Sequence, residues 1–426
     1  MKCAIRIPRL AGVLSWLLLT FLVMLPKGGI KPGGVPLTWG YGLLAFLFLP
    51  LLVVRLLVYP LRASPVAVAV FASLAPFPFF LFYSLYANGQ ESIAITGALI
   101  AGFVFLPAIF LGVFPPFLRF VDFERFRRYF CFCILAAALW GIFLFFYHPI
   151  MGHYIEIPYL TVNAGDYGQL ENTKNLARGG YLKLIATYNN GNLYGVATLI
   201  LLPLYLYLEP AKWKRNVIRI ALILTLSRTV WAGLILEQLL SLAAKLPHVV
   251  ARFPRIRPRR AAPQLIAVVA TSCLILPGLF FSGHGAGFLF DSSLGGRAGE
   301  ATGFLSSTLL PSTQVGPFEE LFYASALRLY GVLGLLAIVL IFATPVFILV
   351  WKPWLVRIPT RRAAAKGLIL YALIANIDAA ALLIPVMAFY FFAYMVFLHG
   401  MPGEPGLALA PEPEPSSPRS ISLPLQ

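Results

Sequence analysis

Apolar runs of about twenty residues, separated by short stretches that hold most of the lysines and arginines, recur along nearly the whole of this 426-residue chain. A helix needs about twenty such residues to cross a hydrocarbon core roughly 30 Å thick, and in that core every backbone polar group must be paired within the protein. The pattern therefore predicts an all-α polytopic membrane protein. Composition agrees, with 60% hydrophobic and 12% charged residues against about 25% charged residues in soluble domains. The net charge of +17 does not point to nucleic acid, because its carriers lie mostly between the apolar runs, the positive-inside pattern of membrane loops.

The first predicted spans are about 10–26, 38–61, 66–88, 92–114, 128–147 and 191–208. Arg55 and Arg62, the cluster "RFVDFERFRR" and the cluster "KWKR" all fall on one side. That side is cytoplasmic if the N-terminus is, and the polar stretch 148–190 then faces the periplasm. Residues 1–26 have a basic start and an apolar stretch like a signal peptide, but no small-residue cleavage site follows "LTFLVMLPKGG", so an uncleaved first helix is expected. Three of the four cysteines, Cys131, Cys133 and Cys273, sit inside apolar runs, where they read as small buried hydrophobes rather than a disulfide or metal set.

The segment "ALILTLSRTVWAGLILEQLLSLAAK", residues 221–245, is apolar except for Arg228 near its start, Glu237 and its last lysine. An arginine at bilayer depth costs roughly 2.5–3.5 kcal/mol on insertion scales. Strongly basic sequence lies on both sides of the segment, "KWKRNVIR" before and "KLPHVVARFPRIRPRR" after, so a single crossing would put one cluster on the wrong side. A hairpin of two helices, about 217–227 and 229–245, keeps both clusters cytoplasmic and places Ser227 and Arg228 in its turn. Water or an anionic ligand there can satisfy the five N–H donors of the guanidinium. The alternative is an arginine that snorkels to headgroups or pairs with Glu237.

Further spans are predicted at 264–282 and 323–350, separated by a second polar stretch at about 283–322. The last apolar block, 367–398, is long and contains Asn376, Asp378 and Pro385, which predicts two short helices meeting near Ala379–Leu383. The total is about twelve transmembrane helices in one integral membrane domain, residues 1–400, with both termini cytoplasmic. The tail, 401–426, is rich in Pro, Glu and Ser and is expected to be disordered.

The two long loops hold the chemistry. In "ENTKNLARGGYLKLIATYNNGNLYG", Lys174, Arg178 and Lys183 lie where positive charge is disfavoured; they suit an anionic ligand, or pairing with Glu171, Asp166 or Glu156. Asn189, Asn190 and Asn192 suit helix capping or a hydroxyl-rich ligand such as a sugar. In "DSSLGGRAGE", Arg297 follows two glycines that let backbone approach a ligand closely, unless it is merely solvated or paired with Glu300 or Asp291. Glu319 and Glu320 open the next helix, a position the helix dipole also favours for acids. Combined, Arg228 and Arg297 form a clamp suited to a diphosphate, with a nearby carboxylate to take a proton from an attacking hydroxyl. The sequence has no metal-type cluster and no Ser/His/Asp constellation. Of the five histidines, His284 in the second loop is a further candidate base.

The stretch "LTLSRTVWAGL", the Asn-rich lead-in "YNNGNLYG", the "GGR" of the second loop, and the Glu-containing helix start followed by "LYGVLG" resemble the O-antigen polymerase and O-antigen ligase superfamily of bacterial inner-membrane proteins, over roughly residues 170–350. The resemblance implies a GT-C-like, metal-independent, inverting glycosyltransferase with no cofactor. Its donor would be an undecaprenyl diphosphate-linked glycan. Arg228 and Arg297 would match the two arginines that hold the diphosphate, with Ser227 beside the first. Arg178, Lys183, Asn189, Asn190, Asn192 and Ser227 are the candidate substrate-binding residues. Ligases of the superfamily carry a histidine near the start of the helix after the large loop, where this chain reads "FEELFY". That difference favours a polymerase acting on lipid-linked repeat units as both donor and acceptor, with Glu319 or Glu320 as base and a chain-length regulator protein as an additional partner beside membrane lipid. Two alternatives stay open: a ligase acting on lipid A core or protein, and a flippase or exporter of lipid-linked glycan.

Overall fold

A computed structural model describes residues 6–32, 36–59, 64–173, 176–178, 181–243, 308–318, 321–374 and 384–404. The chain is an all-α membrane protein. Its helices are α1 (Arg6–Leu19, prolonged by a π-helical turn Thr20–Met24), α2 (Trp39–Val58), α3 (Pro65–Leu74) running directly into α4 (Pro76–Asn88), α5 (Ile93–Ile100, with π-helical turns to Val113), α6 (Phe123–Met151), α7 (Gly191–Leu208), α8 (Lys212–Leu224), α9 (Arg228–Ala243), α10 (Phe322–Trp351), α11 (Pro359–Ile374) and α12 (Ile384–His399). Among the described residues, six helical stretches are long and apolar enough to cross a membrane, and Arg9–Met24 and Pro385–His399 are shorter apolar helices. The expected total of about twelve spans is thus not reached on length. The hairpin helices are too short to qualify, and the predicted span 264–282 lies outside the described residues.

Long-range hydrogen bonds sort the helix ends into two groups. Thr187 and Tyr188 donate to the carbonyls of Met24 and Val23, Trp39 Nε1 donates to the Tyr159 carbonyl, and Asn88 Nδ2 donates to the Pro311 carbonyl. These contacts gather the loop 152–190 and residues 308–318 at one end, here termed apical. Residues 114–122, 209–211, 352–358 and 400–404 make up the opposite, basal end, which with the adjoining helix starts carries Arg119, Arg125, Lys212, Lys214, Arg357 and Arg362.

Helix α7 is the central post. It is apolar all round and buried along nearly its whole length, as a helix without a polar face must be. Its neighbours come close through small residues: Gly195 lies against Val230 of α9, Gly233 of α9 against Leu199, and Gly367 of α11 against the Ile200 carbonyl. Close backbone approach at such residues is the main source of packing energy between helices in lipid, where burial of apolar surface drives nothing. By contrast α2 leaves Phe46, Leu49 and Leu57 exposed, the lipid-facing surface of the bundle.

The same contacts give helix directions. The pairs 195/230 and 199/233 make α9 parallel to α7. Helix α8 leaves the basal turn after α7 and ends with the Leu224 carbonyl bonded to Leu184 in the apical loop. So α8 and α9 are an antiparallel hairpin with an apical apex, as the basic flanks demand. Contacts of Gly233 with Ile374 and of Lys366 with Ser241 make α11 antiparallel to α9. Tyr371 meets Met387 while Thr360 meets Glu404, so α11 and α12 form a second hairpin. The predicted junction Ala379–Leu383 lies outside the described residues.

Two expectations need correction. The span 323–350 is not one helix: α10 is broken at Gly331 (φ 68°, ψ −174°). Rings of Phe322 and Phe342 lie 6.0 Å apart, whereas about 30 Å of rise would separate them on a straight helix. Residues 322–330 therefore fold back along 332–351, and the amides of Val332 and Leu333 are taken by the carbonyls of Thr308 and Leu309. Residues 401–404, expected to open the tail, are packed on the bundle, and 405–426 lie outside the described residues. Met401 is fully buried, the Gly403 amide donates to the Leu118 carbonyl, and the Glu404 carboxylate accepts from Thr360 at 2.7 Å.

Candidate functional site

The apex of the α8–α9 hairpin is a three-residue break, Thr225–Ser227. Leu226 stands in left-handed backbone at φ 51°, which costs a non-glycine residue roughly 1–2 kcal/mol. Thr225 Oγ1 donates to the Leu222 carbonyl at 2.7 Å and lies 3.4 Å from the amide of Ser227. Trp231 Nε1 donates back to the Ile223 carbonyl at 2.9 Å and staples the two helices below the break. Ser227 is in the turn as expected, but Arg228 is the first residue of α9 rather than a turn residue. Thr225, Ser227 and Thr229 are buried, and Arg228 is half-buried.

The N-terminus of α7 meets this apex. A Cβ on Gly191 would stand 2.8 Å from the Leu184 carbonyl oxygen, 3.2 Å from that of Thr225 and 3.4 Å from Lys183 Cβ, so only glycine allows the approach. Lys183, Gly191 and Thr225 are thereby in contact. Helices α7 and α9 are parallel and both begin here, so two positive dipole ends lie beside the backbone positions of Lys183 and Arg228. Helix N-termini with cationic residues beside them favour anions through the helix dipole.

The asparagines divide their roles. Asn190 Oδ1 accepts from the amides of Asn192 and Leu193 at 2.9 and 3.1 Å, which makes it the N-cap of α7. Asn189 Nδ2 donates to the Thr161 carbonyl at 2.9 Å from left-handed backbone at φ 57°. Asn192 is half-exposed in the first turn of α7. With Ala186 at φ 47°, three non-glycine residues in left-handed backbone surround the apex. Strain of this kind costs of order 1–3 kcal/mol per residue and concentrates at functional sites.

The described loop carboxylates make contacts outside the loop cations, and a pairing with Lys174 or Arg178 lies outside the described side chains. Asp166 pairs with Lys31 at 2.6 Å, Glu156 accepts from the amides of Gly168 and Leu170, and Glu171 accepts from the Tyr154 amide and lies 3.3 Å from His148 Nε2. Burial, with the Glu171 charge second, pushes the Tyr154 phenol up to about 12. Around these groups is a cavity of about 240 Å³ lined by His153, Tyr154, Glu156, Tyr167, Gly168 and Glu171, which no sequence signal announced. The alternative pairing of Arg228 with Glu237 is not favoured by geometry. Nine positions along α9 mean about 13.5 Å of rise and opposite faces, and Glu237 accepts from Gln238 and Ser241.

Arg178 lies in a small antiparallel ribbon, Ala177–Arg178 with Tyr181–Leu182. Arg297, His284, Glu319 and Glu320 lie outside the described residues. The structure thus brings together Arg228, Ser227, Lys183 and the Asn189–Asn192 stretch, adding Thr225 and Gly191. Among the described residues no group of three His, Cys, Asp or Glu side chains is arranged to hold a metal ion. No family model matches this chain, and no curated protein matches it.

Proposed function

We propose that the protein is a membrane glycosyltransferase that polymerises lipid-linked oligosaccharide repeat units at its apical face, taken as periplasmic. The observation that carries this reading is Arg228 opening α9 at an apex where the start of α7 and Lys183 also converge. Such a site suits a diphosphate: the charge that builds on a departing diphosphate is stabilised by fixed donors already aimed at it, and stabilisation of this kind usually lowers the barrier more than any other single effect. A guanidinium fork adds bidentate contacts to phosphate oxygens. In this reading Arg297 completes the clamp, and Glu319 or Glu320 accepts the proton of the attacking sugar hydroxyl. Tyr323, shortly after the glutamates, donates to the Ala372 carbonyl of α11, and Gly233 of α9 lies against Ile374 of the same helix, which favours the two halves of the site facing one cavity.

The test is the glycan length distribution in a deletion strain complemented with wild type, Arg228→Ala, Arg228→Lys or Arg297→Ala, with protein levels checked. Wild type is expected to restore long chains, and both alanine variants to leave single repeat units on their normal acceptor. Arg228→Lys keeps the charge without the fork and is expected to lose at least about tenfold in rate, equivalent to ~1.4 kcal/mol. Unchanged chain length in either alanine variant rejects the proposal. Full-length polymer accumulating on the lipid carrier would make the protein a ligase instead.

A further inference from the structure

Helices α1, α2, α6, α12 and the π-helical end of α5 enclose a groove of about 450 Å³ whose mouth lies at the basal end, within the range of roughly 300–1,000 Å³ typical of small-molecule sites. It follows α1 from Leu10 to Val23, about 20 Å of helix, which exceeds the ~15 Å of one leaflet. Its walls are apolar. Of the two hydroxyl-bearing side chains in the lining, Ser15 and Tyr59, Ser15 spends its proton on the Ala11 carbonyl at 2.7 Å, and Tyr59 lies at the basal mouth. A water needs two to four polar partners, so water does not fill this space; at bilayer depth the medium that does is lipid chain.

The mouth is cationic. Arg119 Nη2 donates to Tyr59 Oη at 2.8 Å, and its guanidinium lies 4.9 and 4.8 Å from the ring centres of Tyr59 and Phe120. Arg55 Nη1 donates to the Tyr59 carbonyl at 2.8 Å. Arg119 is exposed, and the ion pairs among the described residues do not include it. An exposed arginine held against two aromatic rings, with one of its five donors on Tyr59, suits a phosphate.

We infer that this groove is a binding site for an anionic phospholipid of the basal leaflet, one acyl chain lying along α1 and the headgroup phosphate on Arg119. The site lies away from the hairpin apex and does not depend on the reaction proposed there.

Native mass spectrometry of the full-length protein in detergent, titrated with dioleoyl phosphatidylglycerol or dioleoyl phosphatidylcholine, tests it. One tightly held phosphatidylglycerol is expected, with a preference of about fivefold over phosphatidylcholine. Arg119→Gln, an exposed change that leaves the fold intact, is expected to abolish the preference. Ala11→Phe fills the groove and is expected to remove retention of both lipids, whereas Val13→Phe, on the exposed side of α1, is expected to retain phosphatidylglycerol like wild type. Equal retention of the two lipids by wild type overturns the inference, as does an undiminished preference in Arg119→Gln. Displacement of phosphatidylglycerol by equimolar undecaprenyl phosphate also overturns it, since the groove would then belong to a polyprenyl chain.

Discussion

The amide of Leu184 donates to the carbonyl of Leu224 at 3.0 Å, tying the end of the long apical loop to the end of the first hairpin helix. Helices leave their last carbonyls without intrahelical partners, and in a water-poor setting such a carbonyl must be paired. Loop and apex therefore satisfy each other. Their junction presents Lys183, Gly191, Thr225, Ser227 and Arg228 as one patch.

Gly191→Ala tests that junction directly. The new methyl would press on two backbone carbonyls, neither of which moves alone, and overpacking of this kind costs typically ~1–3 kcal/mol. A lower melting temperature in detergent and a loss of polymer are the expected results. A variant with wild-type melting and wild-type chain length would show that the helix start and the apex are not in contact.

Asn190 separates capping from ligand binding. Asn190→Ala is expected to lose the bond to the amides of Asn192 and Leu193 and to destabilise by about 1 kcal/mol. Asn190→Asp preserves the accepting oxygen, so stability and chain length should both survive. Loss of polymer in a stable Asn190→Asp protein would instead assign the amide to the substrate.

Gly331→Ala probes the fold-back of α10. Its backbone at φ 68°, ψ −174° is nearly closed to residues with a Cβ, a cost of order 1–3 kcal/mol, and the new carbon would also meet the Thr308 carbonyl oxygen at 2.7 Å. The melting temperature is expected to fall further than for Gly97→Ala, where nothing lies within 4 Å. Equal melting of the two variants would remove the case for a strained reversal.

Topology is open to cysteine labelling with a membrane-impermeant maleimide. Tyr167→Cys, in the exposed apical loop, is expected to label in intact cells, whereas Trp213→Cys at the start of α8 and Trp354→Cys after α10 should label only after permeabilisation; all three positions are exposed. Labelling of Trp213→Cys from outside would invert the orientation and move the apex to the cytoplasm.

Much of this architecture is written locally in the chain. Hydropathy over some twenty residues marks a span because lipid demands it of any helix, and basic residues at both ends of 217–245 demanded a hairpin because charge sorts loops by side. That constraint called for a break, and the arginine placed it at Ser227–Arg228; the structure has it at Thr225–Ser227, with the first helix ending three residues earlier than expected. Two things followed from neither rule. The reversal at Gly331 leaves no mark on hydropathy, since 322–330 is as apolar folded back as continued, and its evidence is the contact of Phe322 with Phe342, twenty positions apart. The meeting of Gly191 with Thr225, like the loop carboxylates' choice of Lys31, His148 and backbone amides, joins residues far apart in sequence, where no spacing rule operates. Sequence by itself determined that the apolar segments are helices and that both basic flanks of 217–245 lie toward one end, because burial in lipid and loop charge act residue by residue. Only the tertiary structure decided which ends meet, because close packing depends on shapes that distant segments present to each other.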